Sequence, residues 1–160
     1  MRIHRAPPLR PSGVGRVAAL VLTATLWGWP VAGSPHAVVR PFVAPADAYA
    51  AGHRGVDLFA AADAEVRAPA DGVVRFSGWV VDRPVLTIDH GDGVVSSVEP
   101  VESDLAAGDV VSRGQTVGRV TSDASHCVET CLHLGVRVDG AYVSPLLFLG
   151  GQPRAVLLPP

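Results

Sequence analysis

The sequence predicts an all-β domain, a small antiparallel sandwich or open barrel. Three observations predict it. From Ala64 onward, short runs rich in Val are broken at close intervals by turn signals containing Gly or Asp. No stretch after residue 60 keeps apolar residues at helical spacing over two turns, and residues 60–64 support one helical turn at most. Ahead of this pattern, the first 33 of 160 residues have a different composition, basic and then apolar.

Residues 1–33 read as an export leader, a signal peptide. Arg2, Arg5, Arg10 and Arg16 form a basic region without an acid, and residues 17–31 are a mostly apolar run of 15. Val31-Ala32-Gly33 then supplies small residues of the kind a signal peptidase reads. The run falls short of the ~20 residues that span a bilayer, so cleavage near Gly33 is expected rather than a retained anchor. No cysteine follows the run, which argues against a lipoprotein. Residues 34–51 are rich in Pro and Ala, with Pro35, Pro41 and Pro45 spaced through them, and read as an extended arm lying on the domain.

The domain itself covers residues 52–149. Glu65-Val66-Arg67 is a short strand ended by Ala68-Pro69, and Asp71-Gly72 turns the chain. Residues 73–81 carry the Val, Phe and Trp typical of strands, and Asp82-Arg83-Pro84 ends them. Residues 85–90 alternate, Gly91-Asp92-Gly93 is a tight hairpin signal, and residues 94–98 run back. Ala107-Gly108-Asp109 and Ser112-Arg113-Gly114-Gln115 are further turns, followed by a strand at 117–121. A loop over 122–130 leads into a strand over 132–138, Asp139-Gly140 turns it, and residues 142–149 close the domain. The tail, residues 150–160, is rich in Gly and Pro and is expected to be poorly ordered.

Charge narrows the function. Every basic residue is Arg, and the whole chain carries a net −2. Removing residues 1–33 takes away four arginines and no acid, leaving nine arginines against 15 acids, a net of −6. That argues against nucleic acid or an anionic membrane surface as the main partner. A mature chain of this size holds one core, and it is expected to act as a monomer.

The chemistry-bearing residues gather in two places. His53 and Asp57 lie four apart around Gly55, just before the first strand. An imidazole and a carboxylate are two of the ligand types zinc accepts, and a catalytic site wants three protein ligands plus water. The second place is His126-Cys127-Val128-Glu129-Thr130-Cys131-Leu132-His133, which holds both cysteines of the chain and two of its six histidines. If Cys131 begins a strand, alternation puts Cys131 and His133 on one face and Leu132 and Leu134 on the other. His133 can then complete a site with His53 and Asp57. The cysteines admit three readings: a Cys127–Cys131 disulfide, an extra zinc ligand at Cys131, or a nucleophile. Export favours the disulfide.

At this point a family resemblance appears. His53-Arg54-Gly55-Val56-Asp57-Leu58 resembles the H-x-G-x-D-[LI] opening of the lysostaphin/LytM-like zinc endopeptidases, which cut peptide cross-links in bacterial peptidoglycan. In order, Val66-Arg67-Ala68-Pro69-Ala70-Asp71-Gly72-Val73-Val74, Leu86-Thr87-Ile88-Asp89-His90-Gly91-Asp92-Gly93, the stretch from Gly108 to Gly118 and Leu132-His133-Leu134-Gly135-Val136 are similar to later segments of that family. The resemblance covers residues 52–149 and implies the open antiparallel fold of the duplicated hybrid motif. It also implies Zn2+ as cofactor, held by His53, Asp57 and His133, and peptidoglycan peptides as substrate.

Two departures accompany it. The family places assisting histidines at the first His of its H-x-H strand and at the end of the strand after the hairpin. These positions fall on Cys131 and Pro100. The spare histidine nearby is His126, the leading candidate for the missing proton carrier, with Glu99 and Glu129 behind it.

Other functions fit less well. A degenerate module that binds the wall or switches on a cell-wall hydrolase is the first rival, though it has no need of three intact ligands. A biotinyl or lipoyl carrier is excluded because the chain has no lysine to modify. A sugar-binding sandwich would have a thin aromatic supply, with Trp79, Tyr49 and Tyr142 as the Trp and Tyr residues beyond the leader.

Overall fold

β-Branched residues at alternate positions make strands with one buried face, and here they make two sheets. The structure, a computed structural model, describes residues 27–32, 38–47, 50–122, 127 and 130–150. The chain runs as β1 (Val38–Arg40), β2 (Gly55–Phe59), β3 (Glu65–Arg67), β4 (Gly72–Val80), β5 (Arg83–Asp89) and β6 (Val94–Glu99). It continues as β7 (Val101–Glu102), β8 (Val110–Val111), β9 (Thr116–Val120), β10 (Cys131–Val138), β11 (Ala141–Val143) and a short helix, α1 (Leu146–Leu149).

The larger sheet is antiparallel in the order β1-β2-β10-β6-β5-β4-β8, with β11 added to β10, and the smaller is β3-β9-β7. Both are open, as the all-β expectation required. Register aligns buried residues in rows across the larger sheet. Val56, Leu134, Val98 and Leu86 form one row. Val136, Ser96, Ile88 and Val74 form the next. Val66, Val117, Val120 and Val101 of the smaller sheet join them in a common core. Burying each of these Val, Leu and Ile side chains stabilises the fold by roughly 1.5–3 kcal/mol.

Two local outcomes add detail to the sequence reading. Residues 142–149 close the domain in two parts: β11 stops at Val143, and the chain coils into α1 behind Pro145. Pro145 already holds helical angles, φ −58 and ψ −24, and Gly150 at φ 78 terminates the turn. The arm contributes a strand, β1, which pairs with β2, and Val43 forms a bridge to His53.

One outcome differs from that reading. Residues 27–32, which the sequence places at the end of the leader, lie in the fold. Trp27 and Val31 are buried members of the core. The rest of the expected leader, residues 1–26 and 33, together with residues 34–37 and the tail from residue 151, lies outside the described residues. Among the described residues, no helix is long and apolar enough to cross a membrane.

Trp27 covers His90, with ring centroids 4.6 Å apart. His90 Nδ1 donates to the Asp71 carbonyl at 2.8 Å, and its Nε2 accepts from the Ser96 hydroxyl at 2.8 Å. Burial lowers the His90 pKa, against opposing pulls from the Asp71 carbonyl and from the Asp89 and Asp71 carboxylates. The unfolded chain therefore binds this proton first as pH falls, so His90 costs stability below about pH 6.5. Melting curves of the metal-free protein should show a steeper loss between about pH 7 and pH 5 than those of His90→Asn. Equal slopes would contradict the role given to His90.

Candidate metal centre

His133 lies at the middle of a row that crosses three strands. On β10 it stands directly opposite Asp57 of β2 and directly opposite Glu99 of β6. Directly opposed residues of antiparallel strands project from the same face, so Asp57, His133 and Glu99 share one. Leu132 and Leu134 point to the other face and are fully buried. The alternation read from the sequence thus separates chemistry from core as expected.

His53 reaches this row from the segment just before β2. The Val43–His53 bridge fixes its backbone, with N–H···O contacts of 2.8 and 3.0 Å. Its Nδ1 lies 2.7 Å from the Pro41 carbonyl oxygen. A carbonyl only accepts, so Nδ1 carries the proton and Nε2 presents its lone pair. That Nε2 lies 3.0 Å from Asp57 Oδ1 and 3.2 Å from His133 Nδ1. His133 Nδ1 is 2.7 Å from the same Asp57 oxygen. Asp57 is almost wholly buried, 1% exposed, and His133 is the most open of the three at 16%.

This donor set fits zinc. Two imidazole nitrogens and one carboxylate oxygen converge within a sphere of one ion, all within 4.8 Å of one another. Donors each ~2.0–2.1 Å from a tetrahedral ion lie roughly 3.3 Å apart, close to the spacing found here. The pairing of a His53 lone pair with a carboxylate oxygen is repulsive unless a proton or a cation lies between them. The Pro41 carbonyl is the kind of outer partner that fixes the tautomer of a ligating imidazole.

Gly55 makes the geometry feasible. It stands opposite Gly135, and a Cβ at Gly55 would strike the Leu134 carbonyl oxygen and come within 2.5 Å of His133 Nε2. The glycine between His53 and Asp57 is thus a space for the His133 ring.

The remaining site residues of the sequence reading are placed as follows. Cys127 and Cys131 are joined as a disulfide, with Cα atoms 6.0 Å apart. Both sulfurs are therefore no longer thiolates, and although they lie near Asp57 they make a poor second metal set. Cys131 shares the face of His133 but is buried at 1%. Pro100 follows Glu99 through a cis peptide bond. His126 and Glu129 lie outside the described residues. The Glu99 carboxylate is partly exposed, and the Arg83 guanidinium approaches it at 3.5 Å. Sequence reasoning ranked Glu99 low because nothing local indicates that β6 lies beside β10. It missed the Pro41 carbonyl because a backbone acceptor has no residue signature.

With this geometry in view, comparison with known proteins gives consistent answers. The profile of peptidase family M23 matches residues 51–145. The chain is 37% identical over 131 residues to the uncharacterized protein Rv2891 of Mycobacterium tuberculosis, and equally to its Mycobacterium bovis counterpart Mb2915. The alignment covers 79% of this chain and 52% of each relative, so the chain spans about half the length of the curated relatives it matches. Among solved structures, Helicobacter pylori Csd3 superposes with a TM-score of 0.63 at 26% identity, over 81% of this chain and 34% of that one. A chain of the SpoIIQ–SpoIIIAH pore-forming complex gives 0.65 at 23% identity, covering 79% and 92%. The catalytic domain of the antimicrobial peptidase lysostaphin from Staphylococcus simulans gives 0.59 at 20%, covering 69% and 89%. The last two, under 25% identical, speak for the fold alone.

Proposed function

The chain belongs to peptidase family M23, and from that premise we propose that it is a secreted zinc endopeptidase hydrolysing peptide cross-links of bacterial peptidoglycan. The observation that carries the reading is the convergence of His53, Asp57 and His133 on one point. In it, His53, Asp57 and His133 hold the ion. Zinc, when bound, supplies a Lewis acid that polarises a carbonyl and brings the pKa of a water to about 7. Around it, the chain presents a sheet face with Phe59 and Phe76 exposed, a surface suited to an extended peptide. The 1% exposure of Asp57 keeps bulk water from the carboxylate side of the ligand set. A monomer acting outside the cytoplasm fits the leader and the disulfide.

The proton must then be carried by a residue other than the family's two histidines, since Cys131 and Pro100 occupy those positions. His126, next to the disulfide, is the carrier we propose. Positioned acid–base help is worth ~10²–10⁴-fold, so His126→Ala should lower kcat on purified cell walls by about that factor with zinc content unchanged. Glu99→Gln should leave kcat within a few-fold. The reverse result would move the role to Glu99, which shares the His133 row.

A second reading keeps the metal and drops the turnover. In it the domain binds the wall or activates a cell-wall hydrolase, and the observation favouring it is the loss of both usual assisting positions. Stoichiometric zinc with no hydrolysis, together with stimulation of an added amidase, would establish this reading in place of the first.

A further inference from the structure

We propose that Tyr142, Arg54 and Arg137 form a subsite beside the metal centre that takes a free carboxylate of the substrate peptide. The inference deepens the peptidase reading and rests on it for the class of substrate.

Strand geometry places the group. Alternation along β10 puts His133, Gly135 and Arg137 on one face. Tyr142 of β11 stands directly opposite Arg137, so it shares that face. Gly135 lies between the metal ligand and the arginine. A Cβ there would lie 3.8 Å from His133 Nε2 and 4.0 Å from Tyr142 Cε1. The Tyr142 ring therefore borders the His133 ring across Gly135, while 42% of Tyr142 stays exposed.

Charge assigns the ligand. Two guanidiniums lie over the Tyr142 ring, Arg137 Cζ at 5.4 Å and Arg54 Cζ at 5.9 Å from its centroid. Both arginines are half-buried, and Arg54 Nη2 also donates to the Ala50 carbonyl at 3.2 Å. Among the described residues, no carboxylate or carbonyl accepts from the Arg137 guanidinium. Two like charges at one ring repel, and an anion between them relieves the repulsion. Beyond residue 33 the chain carries nine arginines against 15 acids, so two cations gathered on the metal's own face reverse the sign locally. A guanidinium held over an aromatic ring has little freedom left to lose, and its fork of donors matches a carboxylate. An extended peptide laid along β10 advances by the same ~3.3 Å per residue as the strand. Because Gly135 is two residues from His133, a carboxylate about two residues from the bond cut reaches Tyr142 and its arginines.

The test reads binding, by calorimetry, to the protein supplied with zinc. The probes are uncross-linked muropeptides released from purified cell walls by a glycosidase, with their carboxylates either free or converted to amides. They offer no cross-link to cut, so the measurement needs no turnover. The wild type is expected to bind the free form about tenfold more tightly than the amidated form. That preference should fall to about twofold or less in Arg137→Gln and in Tyr142→Leu, with zinc content unchanged. It should persist in Arg75→Gln, which removes an exposed arginine from β4. No preference in the wild type, or an undiminished one in Arg137→Gln, overturns the proposal. Hydrolysis of intact walls is measured separately. No hydrolysis with the preference intact sinks the peptidase reading and leaves the subsite standing; hydrolysis without the preference does the reverse.

Discussion

Gly55→Ala is expected to cost about 3 kcal/mol of stability and to prevent stoichiometric zinc binding. In an ordinary strand the same change gains a few tenths to about 1 kcal/mol, because it reduces the freedom of the unfolded chain. Here the sign reverses for a steric reason. The new methyl would meet the Leu134 carbonyl oxygen, which is backbone, and the Nε2 and Cε1 atoms of His133 at 2.5 and 2.6 Å. Leu134 cannot retreat, since β10 is held by β2 on one side and β6 on the other. The His133 ring would therefore turn away, carrying Nδ1 off Asp57 and His53. Gly114→Ala is the control. It sits at φ 80 with nothing within 4 Å, so it should cost only the ~1–2 kcal/mol of left-handed strain and leave zinc binding intact. Denaturant unfolding with zinc quantified on each protein tests the pair. A Gly55→Ala protein with full zinc and unchanged stability would show that β2 and β10 can part without moving the site.

Asp57→Ala should have the second large effect, on the coupling between metal and stability. Its Oδ1 is 2.7 Å from His133 Nδ1 and 3.0 Å from His53 Nε2, so it is the shared corner of the donor triangle. A ligand that binds only the folded state stabilises it by ~4 kcal/mol at a thousand times its dissociation constant. For a domain of this size that is a rise in melting temperature of about 10 °C or more. Zinc should raise the wild-type melting temperature by that order, a chelator should reverse it, and neither should move Asp57→Ala. A zinc-dependent shift that survives in Asp57→Ala would place the metal elsewhere.

Much of this architecture was readable because its signals are local. Gly91-Asp92-Gly93 and Asp139-Gly140 turn the chain where the sequence puts turns, with positive φ at Gly91, Asp92, Gly93, Asp139 and Gly140. Alternation along Cys131–Val138 assigned the His133 face before any strand partner was known. The partners themselves are a different matter. The His133–Asp57 contact joins residues 76 apart, and no local pattern says which strands flank β10. Family resemblance supplied the ligand set, but it gave no reason for Gly55, which emerges only when the His133 ring is seen beside it. Residues 27–32, which the sequence reading gives to the leader, pack against the fold, and the sequence could not show this for a thermodynamic reason. An apolar run is favoured in a leader core and in a domain core by the same transfer free energy, so Trp27 and Val31 read alike in both. Helix α1 was missed because four residues cannot display a helical period.

His53, Asp57 and His133 are expected to form a working zinc site despite Cys131 and Pro100. The most direct measurement is release of new amino termini from purified peptidoglycan by protein whose zinc content is determined on the same sample. The expected result is about one zinc per chain, steady release of amino groups, and loss of both in His133→Ala. One zinc per chain with no release above that of His133→Ala would contradict it.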